Sequence, residues 1–156
     1  MYLWLKLLHI SAVVVFLGNI SLGLFWHTHA ARTRDRHLLA HAVDGIIRSD
    51  RMFTVPSVVV IFIAGVLLAS RAQLPLLRTP WIGWSLLLFS VSGLAFMFRI
   101  APLQREMLRY AQSGDDSGQF QFETYASLAR RWELWGAVGL LTPLAALALM
   151  VLKPSL

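Results

Sequence analysis

The stretch Leu3-Trp-Leu-Lys-Leu-Leu-His-Ile-Ser-Ala-Val-Val-Val-Phe-Leu-Gly18 decides the fold. It is long and apolar enough to belong to a membrane-spanning helix, yet it carries Lys6 and His9 where most spans carry leucine. An ionisable side chain at the bilayer centre costs about 2.5–3.5 kcal/mol or more, so its presence indicates a site. Lys6 and His9 are three residues apart, which places them on one face of a helix.

The composition of the whole chain is that of an integral membrane protein. Of its 156 residues, 57% are hydrophobic and only 14% are charged, well below the ~25% of soluble domains. The net charge of +6 comes mostly from arginines between the apolar runs, where membrane topology explains them better than nucleic-acid binding does. The chain has no cysteine, which excludes disulfides and thiolate chemistry. The first apolar run is too long for the core of a signal peptide, so we expect it to be retained.

Four segments are long enough to cross a bilayer, which needs about 20 apolar residues. They cover residues 2–26, 52–70, 81–98 and 134–152. Aromatic residues at their ends, such as Trp4, Trp81 and Trp132, are typical membrane-interface anchors. The sequence therefore predicts an all-α bundle of four transmembrane helices, formed by residues 1–156 as a single domain.

The arginines predict how the bundle is oriented. The first and third loops each hold five arginines near span ends, whereas the second holds only Arg71 and Arg78. The positive-inside rule then places the first and third loops in the cytoplasm and both termini outside. We expect a bacterial cytoplasmic (inner) membrane. Apolar residues at helical spacing predict that both cytoplasmic loops are partly helical, with Ser49 or Asp50 capping the second span and residues 113–118 breaking the third loop.

Small and polar residues inside the spans predict where helices touch. Asn19 is expected to bond across the bundle, and the threonine of Thr142-Pro143 to help satisfy backbone groups that the proline frees. The small residues expected at helix contacts are Gly18, Gly65, Ala69, Ser92, Gly93, Gly136 and Gly139.

His9 and Lys6 are the first candidate functional residues. His9 could be an axial ligand to a b-type haem held between spans, a proton relay, or a histidine that is hydrogen-bonded to a neighbouring helix. Lys6 could be a second ligand, a partner for a haem propionate or a quinone, or an interfacial anchor that extends towards water.

Two other groups of polar residues are weaker candidates. His37 and His41 are four residues apart and could bind zinc, copper or nickel from one helix face, although interleaved arginines oppose a cation; His27 and His29 lie nearby. His37 and His41 could instead pair with Asp35 or Asp44. Asp50 and Glu133 are expected to pair with arginines at the cytoplasmic border, or those arginines could hold lipid phosphates or haem propionates.

The chain resembles a family of predicted bacterial integral membrane proteins, domain-of-unknown-function family 2269. Three motifs carry the resemblance: Gly18-Asn19-Ile20, the run from Asp50 to Pro56, and Pro102-Leu103-Gln104. The resemblance extends over the whole chain and implies a membrane protein without implying an activity.

The first thirty residues are also similar to the opening helix of the HemJ-type protoporphyrinogen oxidase and of the copper-resistance protein D group. In the HemJ type the matching first-helix histidine is implicated in haem b binding, which would correspond to His9. Two features differ from that type. The HemJ type is expected to use a lysine on a later helix, whereas this chain has no lysine between Lys6 and Lys153. The type also has Tyr-Leu-Pro-Arg after the glycine, where this chain reads Ile20-Ser-Leu-Gly-Leu24.

Our leading hypothesis is a small membrane redox protein that binds haem b through His9, with Lys6 or Met97 as possible second ligands. Quinone or a porphyrinogen would be the electron partner. The rival hypothesis is a non-catalytic accessory or scaffold subunit, as a homo-oligomer or with a partner membrane subunit. A third is metal-ion transport through His37 and His41. No phosphate-binding loop, nucleophile elbow or HExxH motif is present.

Overall fold

Six α-helices and two short π-helical turns form the structure, a computed structural model that describes residues 1–76, 78–117 and 120–154. The α-helices are α1 (Tyr2–Ala31), α2 (Arg36–Ser49), α3 (Val55–Arg71), α4 (Pro80–Ala95), α5 (Ala101–Ser117) and α6 (Phe122–Leu152). The first π-turn, Asp50–Thr54, joins α2 to α3, and the second, Phe96–Ile100, joins α4 to α5. The described residues contain no β-strand.

Four continuous helices are long and apolar enough to cross a membrane, which confirms the four predicted spans. They are Tyr2–Ala31, Arg36–Arg71, Pro80–Ser113 and Phe122–Leu152. Two further helices, α2 and α5, extend the second and third spans beyond their predicted ends. We call α2, the first π-turn and α3 the second long helix, and α4, the second π-turn and α5 the third long helix. The side of the membrane that each end faces stays a prediction.

A proline lies two residues after each π-turn and explains it. Pro56 and Pro102 have no N–H group, and a proline ring clashes with the carbonyl four residues earlier in an α-helix. The wider turn relieves this crowding, with the Val55 N–H donating to the Asp50 carbonyl and the Ala101 N–H to that of Phe96.

Two predicted helix boundaries are wrong because the helices continue through them. No new helix starts at Ser49 or Asp50, since the first π-turn keeps the second long helix unbroken. The break predicted at residues 113–118 does not begin at Ser113, because α5 runs to Ser117. Gly118, the last residue of that predicted break, lies outside the described residues.

The helices pack in pairs that diverge at one end. α1 packs against α3 and α4 against α6, while α1 also touches α6 and so joins the two pairs. α2 packs against α5 and α1, and α5 also packs against α6. In the described residues no Cα atom of α3 lies within 8 Å of one in α4. The second and third long helices are therefore together at α2 and α5 and apart at α3 and α4.

The larger apolar core lies at the α2–α5 end of the bundle. Its fully buried members include Leu39, Val43, Met107 and Tyr125. A smaller core of Ala12, Phe16 and Ile61 joins α1 to α3. Away from these cores most large side chains of the spans face outward, as expected for helices surrounded by lipid.

Small residues mark the close contacts of α6. A Cβ added at Gly136 would lie 2.9 Å from Leu24 Cδ2, and one at Gly139 would lie 2.9 Å from Ile100 Cδ1. Both glycines are thus confirmed as contact positions. Gly18 and Gly93 are not, because an added Cβ would meet nothing within 4 Å at either position.

Ser92 satisfies the backbone group that Pro143 leaves free. Pro143 cannot donate to the carbonyl of Gly139, four residues earlier. The Ser92 hydroxyl on α4 donates to that carbonyl at 2.8 Å, so this serine is a confirmed contact residue. Thr142, which the sequence suggested for this role, donates instead to the Val138 carbonyl at 2.8 Å.

Asp35 is the N-cap of α2, and its removal has a measurable expected cost. Its Oδ1 accepts hydrogen bonds from the backbone N–H groups of His37 at 2.8 Å and Leu38 at 3.4 Å. We expect Asp35→Ala to lower the free energy of unfolding by about 1 kcal/mol. Asp35→Asn, which keeps a capping oxygen, should stay close to the parent. Unfolding in mixed detergent micelles measures both; equal losses in the two variants would contradict a role for the cap.

Candidate functional site

His9 lies on the face of α1 that packs against α3. Its Nδ1 is 3.0 Å from the backbone carbonyl oxygen of Ile61. A carbonyl can only accept, so Nδ1 carries the hydrogen and Nε2 of the neutral ring keeps its lone pair. Nε2 has no hydrogen-bond partner in the described part of the chain. It is also not buried, so a ligand could reach it. His9 is thus a fixed imidazole with one nitrogen available to a ligand.

Gly65 allows the His9 ring to lie against the backbone of α3. A Cβ at position 65 would be 3.2 Å from His9 Cε1, closer than most such contacts. Gly65 follows Ile61 by one helical turn, so the carbonyl and the glycine form one seat for the ring. The predicted helix contact at Gly65 is confirmed, and Ala69, one turn further on, is buried.

Lys6 and Met97, the other two candidate haem ligands, are not placed to bind the same iron atom as His9. Lys6 is exposed on the same helix, and two residues three apart on one helix cannot approach an iron atom from opposite sides. Met97 lies in the second π-turn with 59% of its surface exposed. Within the described residues, no Cα atom of that turn lies within 8 Å of one in α1. Arg71, at the end of α3 beside Met1, adds a second cation at the same end of the α1–α3 pair as Lys6.

A buried polar cluster lies between α1, the first π-turn and α5. We call it the Asp50 cluster: Asp50, Asn19, Thr54 and Gln104. Asp50 Oδ1 accepts from Asn19 Nδ2 at 3.1 Å and from Thr54 Oγ1 at 2.8 Å. Asp50 Oδ2 accepts from Gln104 Nε2 at 2.8 Å.

The Asp50 cluster confirms one expectation and corrects another. Asn19 does bond across the bundle, reaching both Asp50 and, at 2.9 Å, Thr54 Oγ1. Asp50 was expected beside an arginine, yet every hydrogen-bond partner that the structure gives it is neutral. The reason is depth: Asp50 is only 7% exposed, whereas Arg51 next to it points outward.

A second buried cluster joins α1 to α6 through His27. Its Nε2 lies 3.1 Å from the Tyr125 hydroxyl, and its Nδ1 lies 3.3 Å from Glu133 Oε1. This second contact is at ion-pair distance, but the ring N–H is not aligned for a hydrogen bond. The Trp132 ring packs edge-on against the imidazole, with centroids 4.9 Å apart.

The His27 cluster was not predicted from the sequence. Glu133 was expected beside an arginine and lies beside His27 instead. No motif in the sequence singles out Tyr125. His27 and Tyr125 are 98 residues apart in the chain, so no local spacing connects them. The sequence could indicate only that His27, a histidine near the end of an apolar helix, needs a partner if it is buried. It could not indicate which residue that partner is.

The comparison with protein families agrees with this architecture. A family model described as "Predicted integral membrane protein (DUF2269)" matches residues 3–154. The chain belongs to this family. The match extends over the four long helices and all the clusters described above. No curated protein and no solved structure matches the chain.

The loop histidines of this DUF2269 protein have no further metal-ligating residue beside them in the described part of the chain. His37 and His41 are exposed on α2. Asp35 caps the helix through the His37 backbone, and Asp44 pairs with Arg48 at 2.8 Å rather than with a histidine. The described residues hold no group of three or more His, Cys, Asp or Glu that could bind a metal ion. Metal binding by the two histidines stays a prediction without a third ligand.

The polar sites of the DUF2269 protein are arranged along α1. His9, Asn19 and His27 lie at three levels, separated by about 15 Å and about 12 Å at 1.5 Å per residue. Asn19 and His27 belong to clusters whose partners come from this chain. Of these three side chains, His9 alone combines a fixed ring with an open nitrogen, so it is the best candidate of the three for binding a ligand.

Proposed function

We propose that this protein binds haem b through His9 and transfers electrons in the membrane. The observation that carries the proposal is the His9 ring, whose Nδ1–H is fixed on the Ile61 carbonyl while Nε2 is open. Histidines that bind metals almost always donate their other ring N–H to a carbonyl, carboxylate or water. Imidazole nitrogen is also the commonest protein ligand of haem iron.

The cations near His9 suit the propionate groups of a haem. Lys6 and Arg71 lie at the same end of the α1–α3 pair as His9 and would hold the carboxylates of the haem propionates by charge. His9 is only half-buried, so a haem there would lie against the outer face of α1 and α3. Neither Lys6 nor Met97 is placed to share the iron with His9, so a second protein ligand would come from another chain.

A bound haem b would supply one-electron transfer. The chain's own contribution is to hold the imidazole in one tautomer and one orientation. The Ile61 carbonyl fixes the tautomer, and the absence of a side chain at Gly65 allows the orientation. The partner that exchanges electrons would be soluble in lipid, such as a quinone or a porphyrinogen, because the site faces the bilayer.

One observation favours a second candidate, an accessory subunit of a membrane complex. Only 11% of the most apolar stretch of α1 is buried within the chain, against 22–28% in the other three helices. Large side chains such as Trp4, Leu7 and Phe25 face outward along α1. A partner subunit covering this face would bury them, and His9 would then be a packing residue.

A visible spectrum separates the two functions. The protein, expressed with haem precursor and purified in detergent, should show a Soret band and sharp α and β bands in the reduced-minus-oxidised spectrum. His9→Ala should abolish these bands, because it removes the ligand. His37→Ala, which removes an exposed histidine on α2, should leave them unchanged.

The fold of each variant is checked by its thermal melt and its elution volume. Haem bands that persist in a folded His9→Ala protein would refute the proposal. A colourless but folded parent protein would favour the accessory subunit, and partners that co-purify with it would then be sought. The metal-transport hypothesis predicts instead a metal content that falls in His37→Ala and His41→Ala.

A further inference from the structure

Two grooves run along the outer surface of the second and third long helices. Where α2 and α5 touch, a groove of about 710 Å³ is lined by Arg48, Arg51, Arg105 and Arg109, with Asp44 at its side. We call this the basic groove. Its volume lies within the 300–1,000 Å³ range of ligand sites.

The second groove is apolar and lies where the same two helices separate. Val58, Val59 and Phe62 of α3 face Phe89 and Gly93 of α4 across it. We call this the apolar crevice. It exists because α3 and α4 do not pack against each other in the described part of the chain. Each groove thus has one wall from each long helix.

The basic groove holds more positive charge than the protein itself balances. Arg48 pairs with Asp44 at 2.8 Å, and Asp44 is the one carboxylate among the residues that line the groove. Arg51, Arg105 and Arg109 remain without an acidic partner there. Arg105 and Arg109 are four residues apart on one helix, a spacing at which like charges repel. An anion between the two helices would relieve this repulsion, and arginine forks match phosphate oxygens.

Exposed apolar side chains lie in the two π-turns, which separate the two grooves along the helices. Met52 and Phe53 in the first π-turn, and Met97 and Phe98 in the second, are 47–69% exposed. From Arg51 to Val58 the second long helix rises by about 10 Å. A free phosphate ion would use only the arginines. A phospholipid would use the arginines for its headgroup and the apolar crevice for an acyl chain.

We propose that the two grooves form a binding site for one anionic phospholipid. Arg51, Arg105 and Arg109 hold its phosphate, and one acyl chain passes the π-turns to lie between α3 and α4. Basic pockets between transmembrane helices are suited to anionic headgroups. The site is independent of His9, which lies on the α1–α3 face.

Native mass spectrometry of the detergent-purified protein, titrated with phosphatidylglycerol or phosphatidylcholine, tests the proposal. The parent protein should retain phosphatidylglycerol at least about tenfold more tightly than phosphatidylcholine, as expected when charge-assisted bonds to phosphate are supported by net charge. The double variant R105Q/R109Q should lose this preference. The control R130Q/R131Q makes the same charge change on α6, outside the groove, and should keep it.

A second variant tests the apolar crevice. An added Cβ at Gly93 meets nothing within 4 Å, so Gly93→Leu should fold while filling the crevice. It should weaken phosphatidylglycerol binding several-fold. Inorganic phosphate should not displace the lipid at equal concentration. The proposal fails if phosphatidylcholine binds equally well, if R105Q/R109Q keeps the preference, if Gly93→Leu has no effect, or if inorganic phosphate competes on equal terms.

Discussion

Replacing Asp50 by alanine is expected to lower the free energy of unfolding by about 2–4 kcal/mol. The change removes the acceptor of hydrogen bonds from Asn19, Thr54 and Gln104. At the ~0.6 kcal/mol typical of a hydrogen bond between membrane helices, three lost bonds cost about 2 kcal/mol. Burying donors without partners raises the cost further, because Thr54 and Gln104 are 2% and 4% exposed.

The matched control for this prediction is Asp44→Ala. Asp44 is a partly exposed aspartate on the same long helix, and it forms a surface ion pair with Arg48. Its loss should cost no more than about 0.3–0.5 kcal/mol. Unfolding of both variants by a rising fraction of dodecyl sulfate in mixed micelles, followed by tryptophan fluorescence, gives the two values. If the two losses were equal, the Asp50 cluster would have no special role in stability.

Replacing Tyr125 by alanine should destabilise the protein by about 3–5 kcal/mol, the usual cost of deleting a large buried ring. Tyr125 is fully buried in the larger core, where its ring lies close to Phe120 and to the His27 imidazole. The loss should be large because this core is packed by protein on all sides, so lipid cannot fill the space left by the ring.

Tyr125→Phe separates the hydroxyl group from the ring. It removes only the hydroxyl that bonds with His27 Nε2. The free energy of unfolding should therefore fall by about 1–2 kcal/mol. The same unfolding measurement applies. A Tyr125→Phe loss as large as that of Tyr125→Ala would mean that the hydrogen bond, rather than ring packing, dominates at this position.

The sequence was sufficient to predict the number of membrane helices but not their lengths. Apolar runs of about 20 residues define the spans, and four long helices are present. The predicted ends at residues 52 and 98 followed from the polar residues next to them. Those residues lie in π-turns inside continuous helices, where Asp50 bonds within the protein and Arg99 lies over the Trp135 ring at 5.5 Å.

Candidate residues on the membrane helices were predictable, but their partners were not. His9 could be identified because a histidine at membrane depth is costly. The Ile61 carbonyl that fixes it has no sequence signature, since every residue has a carbonyl. Asp50 and Glu133 were assigned arginine partners because the charges are opposite. The structure instead gives Asp50 two side-chain amides and a hydroxyl as hydrogen-bond donors, because these groups lie beside its buried carboxylate.

The second π-turn also sets the rotational phase of the helix that follows it. Ala95, just before this turn, and Ile100, its last residue, are both buried. They are five residues apart rather than the three or four of an α-helix. The additional residue turns Arg99 outward and Ile100 inward. A chain one residue shorter at this turn would rotate α5 by about 100° relative to α4. Leu103, Gln104 and Met107 would then leave the interior together, so this turn should accept substitutions far more readily than deletions.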